Sequence, residues 1–129
     1  MATDVITAPT FLKLPINPDE GFPQAFLLSF IGTTFVLSFY ANVAEGLLPD
    51  EQGYYALPQP GGFLVMSVAR QTPAGPVLIT RCKLVVGQII PAGELLLRFS
   101  AMKVAPLNLN GAGAYGSVVE GEVAARWLS

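Results

Sequence analysis

Apolar side chains recur at every second position in two near-identical segments of the chain. Residues 26–30 read Phe-Leu-Leu-Ser-Phe, and residues 35–39 read Phe-Val-Leu-Ser-Phe. In each segment Phe, Leu and Phe fall at i, i+2 and i+4, which is the period of a strand and not of a helix. Residues 31–34, Ile-Gly-Thr-Thr, are typical of a turn. The pattern predicts a β-hairpin over residues 26–39.

The same stretch also has the length of a transmembrane segment. No charged residue lies between Gly21 and Ala44, a run of 24 positions that is long enough to cross a bilayer as a helix. Its flanking residues are Glu20 and Glu45, so the run lacks the Lys and Arg bias that orients a span. We expect the hairpin. A spanning helix over residues 21–44, as in a small holin-like membrane protein, is the alternative.

Further apolar runs, bounded by Gly-rich or Pro-rich turns, continue along the chain. Residues 63–70, 77–86 and 94–99 have the pattern of strands. Residues 117–127 fit either a strand or a short helix. Alternation places Leu95, Leu97 and Phe99 on one face of the third run. In the second run the residues expected on one face are Val77, Ile79, Arg81 and Lys83.

Five to seven short strands with turn signals every 8–12 residues indicate an all-β fold, either a small antiparallel barrel or a sandwich. Four prolines predict an extended arm over residues 1–23, and we expect residues 24–129 to form a single β domain. Residues 43–62 read as a long loop with a short extended piece near Tyr54–Leu57. The Gly-rich stretch 108–116 is expected to order only on docking to a partner.

The composition indicates how such strands are covered. The 129-residue chain is 52% hydrophobic and 12% charged, with a net charge of −2. These values exclude a disordered chain and a coiled coil. The acidic balance and the lack of a basic cluster argue against duplex or single-stranded nucleic acid as a partner. A chain of this size buries only about two-thirds of the surface that its unfolded form exposes, so we expect other protein subunits to cover part of its apolar surface.

Residue types that carry catalysis are scarce. The chain has no His, and its one cysteine, Cys82, has no base to activate it. Residues 111–116 spell G-x-G-x-x-G, but only 13 residues follow, too few for the βαβ unit that binds a nucleotide. The acid pairs at 50–51 and 120–122 come without further ligands. We therefore expect no enzyme, no catalytic, cofactor-binding or metal-binding residue, and no cofactor.

Candidate subunit-contact residues are the aromatic, cationic and amide side chains of the predicted strands and loops. Phe22, Phe26 and Tyr40 are expected to act as anchors. The strand cations Arg70, Arg81, Lys83 and Arg98 either steer docking onto an acidic subunit or only protect the sheet edges from unwanted pairing. The full set is Phe22, Phe26, Tyr40, Tyr54, Tyr55, Arg70, Arg81, Lys83, Asn108, Asn110 and Tyr115. The arm is expected to lie across a neighbour and to add a strand to its sheet.

Short motifs follow one another in order over residues 11–100. They are Phe-Leu-Lys-Leu-Pro-Ile at 11–16, Ala-Phe-Leu-Leu at 25–28 before the Gly32 turn, Phe-Val-Leu-Ser-Phe-Tyr-Ala-Asn at 35–42, Ala-Gly-Pro-Val-Leu at 74–78, Leu-Val-Val-Gly at 84–87 and Pro-Ala-Gly-Glu-Leu-Leu at 91–96. In these features the chain resembles the small baseplate plug proteins of contractile-tailed bacteriophages.

The resemblance implies a small OB-like β-barrel at the central hub of the tail baseplate, with a structural role and no catalysis. Its partners would be other copies of itself and the hub, tube and spike proteins. Closed cyclic symmetry is expected because open head-to-tail contacts make fibres, and the tail analogy favours a trimer or a hexamer. The implied location is the virion, with synthesis in the host cytoplasm and no membrane or nucleic-acid partner.

Overall fold

The computed structural model describes residues 10–126, and nearly all regular structure in this range is β-strand. The strands are β1 (Leu12–Lys13), β2 (Gln24–Phe30), β3 (Thr33–Val43), β4 (Tyr55–Ala56), β5 (Gly62–Thr72), β6 (Gly75–Lys83), β7 (Ile89–Ala92), β8 (Leu95–Val104) and β9 (Val118–Ala125). The helical elements of the described range are two short 3-10 turns, Pro18–Glu20 and Pro106–Asn108. The predicted all-β class is confirmed.

The strands form two antiparallel sheets. A four-stranded sheet has the order β2-β3-β5-β6, and a five-stranded sheet has the order β1-β9-β8-β4 with β7 also paired to β8. The sandwich alternative is therefore confirmed, and the closed OB-like barrel is wrong. Residues 84–88 carry the chain from β6 to β7 in the other sheet: the Leu84 N–H donates to Leu64 O beside β6, and the Gly87 N–H donates to Phe99 O of β8. In the four-stranded sheet β2 and β6 are the edge strands.

The predicted hairpin is confirmed as β2 and β3. They pair from Gln24 opposite Phe39 to Phe30 opposite Thr33. The two-residue turn between them consists of Ile31 and Gly32, with φ of 47° and 77°. Positive φ at both central residues defines a turn whose twist matches that of the flanking strands. The stretch proposed as a spanning helix thus consists mainly of extended strands. Within residues 10–126 no helix has the length and apolar character that a bilayer crossing requires.

The core lies between the two sheets, where the predicted alternation is confirmed. Leu95, Leu97 and Phe99 of β8 are fully buried. From the other sheet Phe39 reaches across to Phe99, with ring centroids 5.9 Å apart in an edge-to-face arrangement. Phe26 stacks on Phe39 at 5.8 Å. This aromatic trio joins the two layers, because its rings come from β2, β3 and β8.

The predicted face of β6 is wrong, because a β-bulge interrupts its alternation. Ala69 pairs with Leu78 while the preceding Val68 pairs with Thr80, so Ile79 is an extra residue on β6. The bulge reverses which side of the sheet each later residue faces. Ile79 packs against the core, whereas Arg81 and Lys83 point away from it.

The described part of the predicted arm packs against the β domain of the same chain. Leu12 and Lys13 form β1 against β9, and the backbone N–H of Leu14 donates to Gly121 O at 2.8 Å. The side chains of Leu14 and Phe22 are buried in the core. Residues 12–22 therefore pack against the sandwich of their own chain. Residues 1–9 lie outside the described range.

The Gly-rich loop at residues 108–116 is held in place without a partner, contrary to expectation. Asn108 is fully buried, and its Nδ2 donates to the carbonyl oxygens of Gly111 (3.2 Å) and Gly113 (3.1 Å). Its Oδ1 accepts a 2.6 Å hydrogen bond from the Ser117 hydroxyl, which in turn accepts from the Ala105 N–H at 2.7 Å. Fully satisfied buried polar networks of this kind fix one loop conformation.

Replacing Asn108 by Ala should lower the free energy of unfolding by about 2–4 kcal/mol, because it leaves buried donors and acceptors without partners. Asn110→Gly is the matched control. It removes an exposed amide of the same loop and tolerates the positive φ of 73° at that position. Chemical denaturation of the purified variants measures both effects. Equal losses for the two variants would contradict a structural role for the buried amide.

Candidate interaction surface

The outer face of the four-stranded sheet, the side turned away from the core, presents rows of small and apolar side chains. The first row crosses all four strands through the paired residues Leu27, Val36, Ala69 and Leu78. The second row crosses them through Ala25, Ser38, Ser67 and Arg81. A third row contains Tyr40, Val65 and Lys83. We call these three rows the outer face.

Several of these side chains remain open to solvent. Leu27 is 65% exposed, Leu78 52% and Tyr40 41%. The small residues Ser38 and Ser67 lie between the larger side chains, and the surface forms a shallow, open depression there. Contiguous exposed apolar patches of this kind are uncommon on monomers and are typical of interaction sites.

The charge on the outer face has one sign. Strands β2, β3, β5 and β6 contain no acidic residue. Arg81 donates from Nε to the Ser67 hydroxyl at 3.1 Å, and the Lys83 ammonium lies 4.9 Å from the centre of the Phe63 ring. Neither cation forms an ion pair with a carboxylate of residues 10–126. The face is thus apolar with two cations whose charges are not neutralised by a contact.

The opposite side of the sandwich differs in its charge. On the outer side of the five-stranded sheet Arg98 forms an ion pair with Glu122 at 3.0 Å and lies over the Phe11 ring. Lys103 lies 4.5 Å from the centre of the Tyr54 ring. The ion pair gives this side charges of both signs, whereas the outer face carries cations alone. The sandwich therefore has one charge-rich side and one charge-poor side, and the charge-poor side is the candidate site.

The proposed subunit-contact residues do not form a single cluster. Tyr40, Arg81 and Lys83 are brought together on the outer face, as the alternation of strands allows. Phe26 is half-buried, and its ring belongs to the aromatic trio of the core. Arg70, near the end of β5, pairs with Glu94 in the turn between β7 and β8.

Three members of the set are buried in their own subunit. The side chains of Phe22, Tyr55 and Asn108 are 2%, 8% and 0% exposed, so in this conformation none can act as an exposed anchor. Tyr55 instead donates from its hydroxyl to Leu47 O at 3.0 Å, which fixes a loop. Phe22 and Asn108 are buried because non-strand segments fold back onto the core, and Tyr55 is buried where the two-residue strand β4 pairs with β8. Strand periodicity reports neither feature.

The remaining members lie near the Gly-rich loop. The Tyr54 hydroxyl donates to the carbonyl oxygen of Tyr115 at 3.2 Å. The Tyr115 side chain is 42% exposed, and Asn110 is exposed with a left-handed backbone. They lie at the end of the five-stranded sheet, where Tyr55 of β4 pairs with Val104 of β8, and not on the outer face.

The apolar row through Leu27, Val36 and Leu78 was not among the predicted contact residues. The hairpin pattern carried the necessary signal, because residues 27 and 36 alternate with the buried positions of β2 and β3 and must face outward. Leu78 had no such signal, since its orientation depends on the bulge. The alternation of a strand identifies both of its faces, and an apolar residue on the outward face marks a candidate contact.

The described residues contain little reactive chemistry. No group of three or more His, Cys, Asp or Glu side chains lies together among residues 10–126 in a way that suits a metal ion. Burial raises the pKa of the Cys82 thiol above its ordinary value, so the reactive thiolate is less populated near neutral pH.

Comparison with protein-family models, with curated proteins and with solved structures finds no significant match.

Proposed function

We propose that the protein is a structural subunit of a contractile phage tail baseplate, acting by assembly and without catalysis or a cofactor. The observation that carries the assembly role is the outer face, an exposed apolar surface with no acidic residue on its four strands. Interface cores are depleted in charge and contain aromatic anchors, and Tyr40 supplies one here. Arg81 and Lys83 at the same surface suit a partner with complementary charge.

The baseplate assignment rests on the ordered motifs over residues 11–100 that resemble baseplate plug proteins. It does not rest on fold, because the OB-like barrel implied by that resemblance differs from the open sandwich of this chain. In this proposal the partners are other copies of the chain and the hub, tube and spike proteins. The assembly is a closed ring, a trimer or a hexamer, in the tail of the virion, formed from subunits made in the host cytoplasm.

The experiment that tests this proposal is done on phage particles. Particles are purified from the phage or induced lysogen that encodes the chain, and an antibody against the recombinant protein is used for immunogold labelling. We expect the label at the baseplate end of the tail, and we expect the chain in mass spectra of purified tails. Disruption of the gene should yield particles with incomplete baseplates. Complete, infectious tails that lack the chain would overturn the proposal.

A further inference from the structure

The loop that leaves β3 carries the opposite charge to the outer face. We call residues 44–53 the acidic loop. Its sequence is Ala-Glu-Gly-Leu-Leu-Pro-Asp-Glu-Gln-Gly, and the carboxylates of Glu45, Asp50 and Glu51 are all exposed. Between them Leu48 is 80% exposed, the largest exposure among the exposed large apolar side chains of residues 10–126. The loop therefore carries an exposed apolar side chain with three acidic residues close to it in sequence.

Hydrogen bonds hold the acidic loop in one shape. Asp50 Oδ1 accepts from the N–H groups of Gln52 (3.0 Å) and Tyr54 (2.9 Å), and the Asp50 N–H donates to Tyr54 O at 2.7 Å. The Tyr55 hydroxyl donates to Leu47 O, directly before Leu48. A loop that is already ordered loses little entropy on binding, so its exposed Leu can contribute favourably to a contact.

The outer face has the features that complement this loop. Its depression has a floor of small side chains, Ser38 and Ser67, next to the larger Tyr40 and Leu78. Arg81 lines the depression. A Leu side chain buried there would leave water together with the exposed part of Leu78, and carboxylates beside it would face the cation.

We propose that the acidic loop of one copy of this chain docks onto the outer face of a second copy. Leu48 enters the depression, and Glu45 and Glu51 pair with Arg81 and Lys83. The three negative charges of the loop meet two positive charges that have no ion pair within residues 10–126. This inference rests on the proposed assembly function and names the partner of the outer face as the chain itself.

The proposed contact joins two different surfaces, so it is heterologous. The loop follows the end of β3, whereas the depression lies on the outer face across β3, β5 and β6. Within one subunit none of the three loop carboxylates forms an ion pair with Arg81 or Lys83. Repetition of one heterologous contact builds a ring when the rotation closes. A face-to-face dimer, with two outer faces in contact, would instead oppose cations with cations.

Charge reversal tests the contact directly. The face variant combines Arg81→Glu with Lys83→Glu, and the loop variant combines Glu45→Arg with Glu51→Arg. Asp50 is left unchanged because it holds the loop. Sedimentation velocity should show a concentration-dependent oligomer for the natural chain, and each variant should weaken association at least about tenfold. The chain carrying all four substitutions should associate again, because its charges are complementary in the reversed sense.

A control separates the contact from the effect of net charge. Glu20→Arg with Glu120→Arg changes the net charge as much as the loop variant does, but at exposed acids outside the acidic loop. It should associate like the natural chain, and circular dichroism should confirm that every variant is folded. A natural chain that stays monomeric up to roughly 100 µM would overturn the inference. Assembly of the loop variant at natural strength, or no recovery with four substitutions, would also overturn it.

These outcomes are independent of the particle experiment. A chain that is present in purified tails but monomeric in isolation would contradict the loop-to-face contact and leave the proposed function in place. A chain that forms the charge-reversible oligomer but is missing from tails would contradict the proposed function and leave the loop-to-face contact in place.

Discussion

The Gly21→Ala variant is expected to lose about 3–5 kcal/mol of the free energy of unfolding, the range reached by the most disruptive single substitutions. Gly21 has φ +78°, where an L side chain is strained. A Cβ at this position would overlap the Gly111 carbonyl oxygen and lie 3.0 Å from Asn108 O. Both are backbone atoms of a loop held by buried hydrogen bonds, so neither side can move cheaply.

The clash would also separate two hydrogen bonds that tie the arm to the loop. The N–H of Phe22 donates to Asn108 O at 2.8 Å, and the N–H of Asn110 donates to Phe22 O at 2.6 Å. Gly32→Ala is the matched control. Gly32 has nearly the same φ, +77°, but a Cβ there would have nothing within 4 Å. It should cost only about 1–2 kcal/mol, the backbone strain alone.

Denaturant unfolding of both glycine variants beside the natural chain measures the difference. The gap between the two losses reflects the close approach of the arm to the Gly-rich loop together with the more glycine-specific backbone of Gly21, whose ψ is −179°. Similar losses at the two positions would mean that the arm and the loop are not packed as closely as the structure has them.

Phe39→Ala is the second substitution with a large expected effect, again about 3–5 kcal/mol of lost stability. Phe39 is 1% exposed and contacts aromatic rings on both sides, Phe26 in its own sheet and Phe99 in the other. Its removal leaves a cavity in the layer that joins the two sheets. Phe39→Leu keeps most of the volume and should cost appreciably less, because volume-conserving changes are better tolerated.

A double-mutant cycle tests whether the edge-to-face contact itself stabilises the sandwich. Phe39→Ala, Phe99→Ala and the double variant are unfolded under the same conditions, and the coupling energy should be about 0.5–1.5 kcal/mol. Each ring also has other neighbours, so the single losses should exceed the coupling. Strictly additive losses would show that the two rings share the core without stabilising each other.

Local periodicity was sufficient to predict much of the fold. The alternation in residues 26–39 predicted the hairpin, and the same rule predicted the buried side of β8 at Leu95, Leu97 and Phe99. Periodicity failed where one residue disturbs it, at the bulge that places Ile79 on the side opposite Arg81. It also failed to separate a sandwich from a barrel, because that choice depends on which strands pair across long stretches of sequence.

The candidate site was predicted in part. Tyr40, Arg81 and Lys83 lie on strands, where alternation relates neighbouring positions, and all three occur on the outer face. Phe22 and Asn108 lie in non-strand segments, where no period indicates whether a side chain faces the core or solvent. Both are buried because the arm and the Gly-rich loop pack on each other, a contact between segments far apart in sequence.

The edge strand β2 has a consequence for handling the protein. Within residues 10–126 no strand pairs with its outer edge, so it presents a row of free backbone N–H and C=O groups. Natural sheets usually protect such edges with a charge, a proline or a bulge. The other edge, β6, has Pro76, Arg81 and the bulge, whereas Gln24–Phe30 has none of these. Concentrated or warmed preparations are therefore most prone to cross-β aggregation from β2.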